Sequence, residues 1–233
     1  GRVAGGGAGG KVLLYDLFRD RPWGATRAHQ GEVRDLIFTA KAKSVISGDE
    51  HGKVVVLSVP TLKRRLVLRA EGTPVRRMAL AGTSVALAAE QPELELLPLS
   101  GGPSRKLTGH AGPVRAVAAT NKGDLLASAG EDAEVRLWRL PAGEPVRTLK
   151  GHKLWVNTLA FSGDGALLAS GGFDRAIMLW DVATGEKLRG LSGHVRAVTD
   201  LAFTRDRARL ASASLDRTAR IWLTHRTTQS ISA

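Results

Sequence analysis

The 233-residue chain contains no cysteine. Disulfides and thiolate metal sites are thereby excluded, and the redox compartment is left open. Tyrosine occurs once, at Tyr15, and aromatic residues make up only 5% of the chain. Single-stranded nucleic acid is usually held by stacking residues interleaved with basic ones, a pattern that so few aromatics do not ask for. No apolar run approaches the roughly 18 residues of a membrane span, and no charged-then-apolar segment opens the chain. A soluble, cytoplasmic protein is the expectation by default. The first residue is Gly1 rather than Met, which suggests a processed chain or an excerpt. Acidic residues are in deficit: 22 Asp+Glu stand against 34 Lys+Arg, a formal net charge of +12. That surplus speaks to partners and solubility rather than to fold. It attracts nucleic acid, acidic proteins and headgroups, and it also fits a chain that uses arginine as its general surface residue. No GxxxxGK[ST], HExxH or GxSxG stretch occurs, so three common enzyme signatures are missing.

What the chain does have is a pattern written three times. Gly109-His110, Gly151-His152 and Gly193-His194 follow one another at a step of 42 residues. Ser128, Ser170 and Ser212 keep the step, as do Asp132, Asp174 and Asp216, and Trp138, Trp180 and Trp222. A fixed period of this length signals stacked structural units that share one core. Within each unit, short runs of Val, Leu, Ala and Ile are bounded by Gly/Asp/Asn turns, which reads as strands. No sustained 3.6-residue periodicity appears anywhere.

The rest of the chain aligns on the same frame. Val3 to Gly7 falls on Leu168 to Gly172, and Tyr15-Asp16 on Trp180-Asp181, so the opening enters a unit near its second strand. Gly5, Gly7 and Gly10 spell the dinucleotide fingerprint GxGxxG, but that motif needs a following helix, and KVLLYDL is strand-like. A glycine-rich hairpin is the better account. The second unit runs from His29 to Leu57 with His51 at the Asp position, so only His29 and Ser47 of the four recurring residues are expected to survive. The third unit carries Glu71 for His and Leu97 for Trp, yet Val75, Met78 and Leu80, then Val85 to Ala89, still pattern as strands. The tail Thr227 to Ala233 is a candidate final strand.

The GH, Ser, Asp and Trp spacing resembles the WD-repeat family, although the closing Trp-Asp is complete only at Trp180-Asp181. The resemblance implies an all-β fold: a β-propeller of four-stranded antiparallel blades, with about five full repeats and a partial blade, part of a seven-bladed ring. The units are then a partial blade 1–27 and repeats 28–69, 70–108, 109–150, 151–192 and 193–233 of a single domain 1–233. It also implies hydrogen-bonded tetrads: His110, Ser128, Asp132 and Trp138; His152, Ser170, Asp174 and Trp180; His194, Ser212, Asp216 and Trp222. The chemistry is coherent, because an imidazole can donate to a carboxylate and accept from a hydroxyl that accepts an indole N–H. Three copies of Ser, His and Asp at identical positions argue against a catalytic triad, since an enzyme needs one. Four of the six histidines are spread one per unit, and His51 and His225 have no ligand pattern, so no metal or cofactor is expected.

In each first strand the apolar residues lie three apart (Val114 and Val117, Val156 and Leu159, Val198 and Leu201), which suggests a bulge after the first Val. By the resemblance, residues around that bulge and before the turn Asp face the top of the propeller and contact partners. They are Arg34, Arg76, Arg115 and Glu131 in an arginine sector, and Trp155, Asn157, Phe173, Thr199 and Leu215 in an aromatic and apolar one. Arginine forks suit carboxylate or phosphate, and Trp and Phe suit interface anchors. The expected partner is a protein or peptide with an acidic or phosphorylated segment beside an apolar anchor, docked on a non-catalytic scaffold. The bland alternative leaves the arginines solvated and packs Trp155 on a neighbouring blade. Two further readings stay open: a regulatory propeller joined to a kinase- or protease-like domain outside these residues, and a basic RNA- or ribosome-associated propeller. A membrane partner is not expected.

Overall fold

The structure is a computed structural model that describes residues 2–224. Its regular structure is almost all β, with two three-residue 3-10 turns (Ala8–Gly10 and Ala40–Ala42) among 22 strands. No helix among the described residues is long and apolar enough to cross a membrane. His225 and the candidate strand Thr227 to Ala233 lie outside the described residues.

Six antiparallel sheets follow one another along the chain. The first joins β1 (Arg2–Gly6), β2 (Lys11–Asp16) and β3 (Arg21–Arg27). The second joins β4 (Val33–Phe38), β5 (Ser44–Asp49), β6 (Val54–Ser58) and β7 (Arg64–Arg69). The third contains β8 (Val75–Ala81), β9 (Ser84–Ala89), β10 (Leu94–Pro98) and β11 (Arg105–Leu107). The fourth contains β12 (Val114–Ala119), β13 (Leu125–Gly130), β14 (Glu134–Arg139) and β15 (Glu144–Lys150). The fifth contains β16 (Val156–Phe161), β17 (Leu167–Gly172), β18 (Ile177–Asp181) and β19 (Lys187–Leu191). The sixth has β20 (Val198–Phe203), β21 (Arg209–Ser214) and β22 (Ala219–Leu223). The GxGxxG glycines therefore lead through a short turn into strand β2 and not into a helix. At Gly10 the backbone takes φ 70°, and a Cβ would collide with the His29 carbonyl.

Each sheet is an up-and-down meander, and β4, β8, β12, β16 and β20 lie side by side as a row of leading strands. The row curves: the carboxyls of Asp35 in β4 and Asp200 in β20, four sheets apart, are within electrostatic reach of each other. All five leading strands break register after their first valine, skipping Arg34, Arg76, Arg115, Asn157 and Thr199. A bulge leaves one residue unpaired and re-aims its side chain. The antiparallel path puts the loop before each leading strand and the turn after each second strand on one side of the molecule.

The core is divided among the junctions between sheets. One apolar cluster sits at each of the five: Val12 and Leu14 against Val33 and Val45; Ile46 and Val54 against Val75 and Val85; Ala86 and Leu96 against Val114 and Leu126; Ala129 and Leu137 against Val156 and Leu168; Ile177 and Leu179 against Val198 and Leu210. The second strands are rich in small residues because the next sheet's leading valine presses on them. A Cβ on Gly171 would stand 2.6 Å from Val198, one on Gly6 2.6 Å from Val33 and one on Gly48 2.8 Å from Val75. Among the described residues nothing covers the outer face of β22 in this way: Ile221 is 65% exposed, whereas Leu137 and Leu179 at the same place in β14 and β18 are each 1% exposed.

Gly171→Val overfills the junction with β20 and is expected to lower stability by about 1–3 kcal/mol in urea unfolding. Gly190→Val, on the outer strand where a Cβ meets nothing within 4 Å, is expected to change it by less than about 0.5 kcal/mol.

Candidate functional site

Three of the recurring sets close the same chain of hydrogen bonds. His110 Nδ1 lies 2.7 Å from Asp132 Oδ2 and its Nε2 2.8 Å from Ser128 Oγ, while Trp138 Nε1 donates to that Oγ at 2.8 Å. His152 meets Asp174 Oδ2 at 2.9 Å and Ser170 at 2.7 Å, with Trp180 donating to Ser170 at 2.8 Å. His194 meets Asp216 at 2.8 Å and Ser212 at 2.7 Å, with Trp222 donating to Ser212 at 2.8 Å. A neutral imidazole satisfies both contacts, Nδ1–H donating to the carboxylate and Nε2 accepting the serine proton. The hydroxyl thus has its donor and an acceptor lone pair committed, and Ser128 and Ser170 are fully buried.

The second sheet corrects the sequence expectation. His51 does not mark a lost aspartate: Asp49 Oδ2 reaches His29 Nδ1 at 2.8 Å, and His29 Nε2 meets Ser47 Oγ at 2.7 Å. Asp49 stands two residues earlier than the repeat frame prescribes, at the end of β5, where the other units have Gly130, Gly172 and Ser214. Its second oxygen accepts from the backbone N–H groups of His51 and Lys53 at 3.0 and 2.8 Å, pinning the turn. The turn therefore places the carboxylate where a strict count of residues does not. The third sheet has no such chain; Leu87 and Leu97 stand at the Ser and Trp places, nearly buried in an apolar cluster with Met78.

Burial, the largest effect, depresses the pKa of His29 and of His110, against the attraction of Asp49 and Asp132. Burial alone would raise Asp132 and Asp174, but hydrogen bonds from the paired histidine and from backbone N–H groups together hold both below the usual carboxylate range. Asp216 is also held low, first by the Thr218 hydroxyl. Asp35 moves the other way: burial raises its pKa, although it accepts the Met78 N–H at 2.5 Å.

The other face residues converge on a basin of about 510 Å³. Arg34, Arg76, Arg115, Asn157, Phe173, Thr199 and Leu215 line it, and Arg77, which sequence reasoning passed over, joins them. Glu131 and Trp155 are not in the lining but touch residues that are. Trp155 and Phe173 are 41% and 45% exposed, with ring centroids 5.6 Å apart. Trp155 thus packs on Phe173 of its own sheet, and the Arg115 guanidinium of the preceding sheet lies 5.1 Å over it.

The arginine sector differs from its expectation of free forks. Arg34 pairs with Glu32 and Glu50 at 3.3 and 3.5 Å, and Arg76 with Glu90 at 3.1 Å. Arg115 pairs with Glu131 at 2.7 Å and donates to Asn157 Oδ1 at 3.1 Å. Asn157 passes the link on by donating to the Val198 carbonyl at 3.2 Å, so one polar chain ties the fourth, fifth and sixth sheets at their bulges. The signal was present in Glu50, Glu90 and Glu131, which recur just after the second strand of the second, third and fourth sheets. Among the described residues no group of three or more His, Asp or Glu side chains is placed to hold a metal ion.

The model of the family "WD domain, G-beta repeat" matches residues 101–139, 143–181 and 185–222. A WD repeat-containing protein, SL1-17 of Schistosoma mansoni, is 28% identical over 138 residues, covering 57% of this chain. The match takes in 45% of that relative, so the chain corresponds to less than half of its length.

Asp49→Ala orphans the buried His29 nitrogen and the two turn N–H groups, and is expected to cost about 1–3 kcal/mol in urea unfolding. His51→Ala is expected to cost less than about 0.5 kcal/mol. Acid acts through the same groups. His29 and His110 have folded pKa values below the ordinary 6.5, so the unfolded chain takes up protons first and stability falls as pH drops below about 6.5. The lowered carboxylates of Asp132, Asp174 and Asp216 add their loss only below about 4. The urea midpoint is therefore expected to fall between about pH 7.5 and about pH 5, and to fall less in a His29→Gln/His110→Gln variant.

Proposed function

Since the chain belongs to the WD-repeat family, whose repeats typically mediate protein interactions, we propose that it is a non-catalytic docking platform that holds protein partners on the face bearing the bulges. The observation that carries this reading is the exposed Trp155–Phe173 pair at the edge of a basin reached by five consecutive sheets. Exposed aromatic anchors beside oriented polar groups are what interface hot spots are made of. The partner segment is acidic or phosphorylated beside an apolar anchor, in keeping with the +12 charge. Against catalysis stands the burial of the Ser-His-Asp chains, in which Ser128 and Ser170 accept an indole proton and have no access for a substrate.

Affinity capture from nuclease-treated cell extract on the immobilised chain tests this. Discrete proteins are expected to be retained and to be lost from a Trp155→Ala/Phe173→Ala variant by roughly tenfold or more, the scale of a hot-spot truncation. Undiminished capture by that variant would refute the docking face. Capture that disappears on nuclease treatment would move the function to nucleic acid, where phosphate contacts weaken steeply with salt.

A further inference from the structure

Five rim positions recur in each complete unit: the three residues after the recurring His, and the two that flank the turn Asp. In the fourth sheet they are Ala111, Gly112, Pro113, Glu131 and Ala133, with no cation. In the fifth they are Lys153, Leu154, Trp155, Phe173 and Arg175. In the sixth they are Val195, Arg196, Ala197, Leu215 and Arg217. The two sheets thus share one composition at one place, two cations and a set of apolar side chains, which the neighbouring sheet lacks.

The geometry brings these positions together on a single rim. Phe173 N donates to the Trp155 carbonyl at 2.7 Å, and Leu215 N to the Ala197 carbonyl at 3.0 Å, so each loop lies against its turn. Leu154, Trp155, Phe173, Val195 and Leu215 are all among the exposed large apolar side chains. Lys153, Arg175, Arg196 and Arg217 are exposed, and none makes an ion pair among the described residues. The acids next to Arg175 and Arg217 are already committed: Asp174 to His152 and the Lys153 N–H, and Asp216 to His194 and the Val195 N–H. On the opposite arc, Arg34, Arg76 and Arg115 are each answered by glutamate. Arg77 of the third sheet makes no ion pair among the described residues but has the Asp35 carboxyl within electrostatic reach, so the positive charge that no acid answers on this face coincides with its apolar patch and is offset from the arginines that line the second to fourth sheets.

We infer that the rim of the fifth and sixth sheets recognises an acidic peptide segment, its Asp and Glu side chains met by Lys153, Arg175, Arg196 and Arg217 and its large apolar side chain seated against Phe173 and Leu215. The inference rests on the docking reading above and specifies where, and by what chemistry, the partner is held. Free guanidinium groups give charge-assisted, directional contacts to carboxylates. Guanidinium groups already paired with glutamate add little, since the partner's acid has to displace an acid that is covalently in place. A nucleic acid is disfavoured because its phosphates have no need of the exposed apolar side chains that share this rim with the four cations.

The test is selection of a random dodecapeptide phage library on the immobilised chain, followed by fluorescence anisotropy of the enriched peptides made synthetically. Enriched sequences are expected to set two or more Asp or Glu beside Trp, Phe or Leu. Arg175→Glu/Arg217→Glu, and separately Lys153→Glu/Arg196→Glu, are expected to weaken binding at least about tenfold. Arg34→Ala/Arg76→Ala is expected to change it less than about twofold. Two independent exposed pairs guard against misfolding of either variant, which the urea midpoint reads directly. Enriched peptides without acidic bias, or acidic peptides that bind both charge-reversed variants undiminished, overturn the inference. Acidic peptides that depend on Arg34 and Arg76 instead overturn it while leaving the docking platform standing. No enriched peptide, with a 12-nucleotide RNA bound instead, overturns both.

Discussion

Each sheet buries an apolar face against the next, and the strand order, the small residues and the turns follow from that packing. Each sheet has two faces, and a sheet exposed on both would not be stable in water. The chain resolves this by stacking, so that Leu137 is covered by the fifth sheet and Leu179 by the sixth. Small residues in the second strands follow from the same requirement, because the leading valine of the next sheet has to approach their backbone closely. The hydrogen-bonded tetrads are secondary to this packing. The third sheet has Leu87 and Leu97 where a serine and a tryptophan would stand, and it keeps its four strands and both junctions. Replacing a whole polar network by apolar groups is tolerated where deleting one member is not.

The tetrads contribute local definition. A neutral imidazole, fixed by a carboxylate on one nitrogen and a hydroxyl on the other, ties the loop before a leading strand to the second and third strands of the same sheet. That tie holds the rim loops in one conformation, and the bulge immediately after them points Arg115, Asn157 and their counterparts at the basin. A rigid scaffold carrying variable loop residues is the usual division of labour between fold and function.

Much of this was legible in the sequence, and what was not has physical causes. A period of 42 residues set the strand order, because every recurring residue has a fixed place in a meander. The bulges were legible in apolar residues three apart. Asp49 was missed because a residue count assumes that the turn has constant shape, whereas the carboxylate at the end of β5 reaches His29 from two residues upstream. The state of the arginines was missed for another reason. Exposure and chemistry of single positions suggest free forks, but Glu50, Glu90 and Glu131 lie across the turn from them, and only the pairing of strands brings those partners within 4 Å. Because the arginines of the second, third and fourth sheets are paired with glutamate, the proposed acidic partner is assigned to the unpaired cations of the fifth and sixth.

The docking proposal puts partner contact on the rim of the bulged face. Hydrogen–deuterium exchange on the chain alone and with a captured protein partner tests it most directly, since exchange reports backbone opening segment by segment. New protection is expected in the loops 152–155 and 194–197 and the turns 172–176 and 214–218, with the outer strands β15 and β19 unchanged. Protection confined to those outer strands or to the opposite face, with the rim loops exchanging as before, would contradict it.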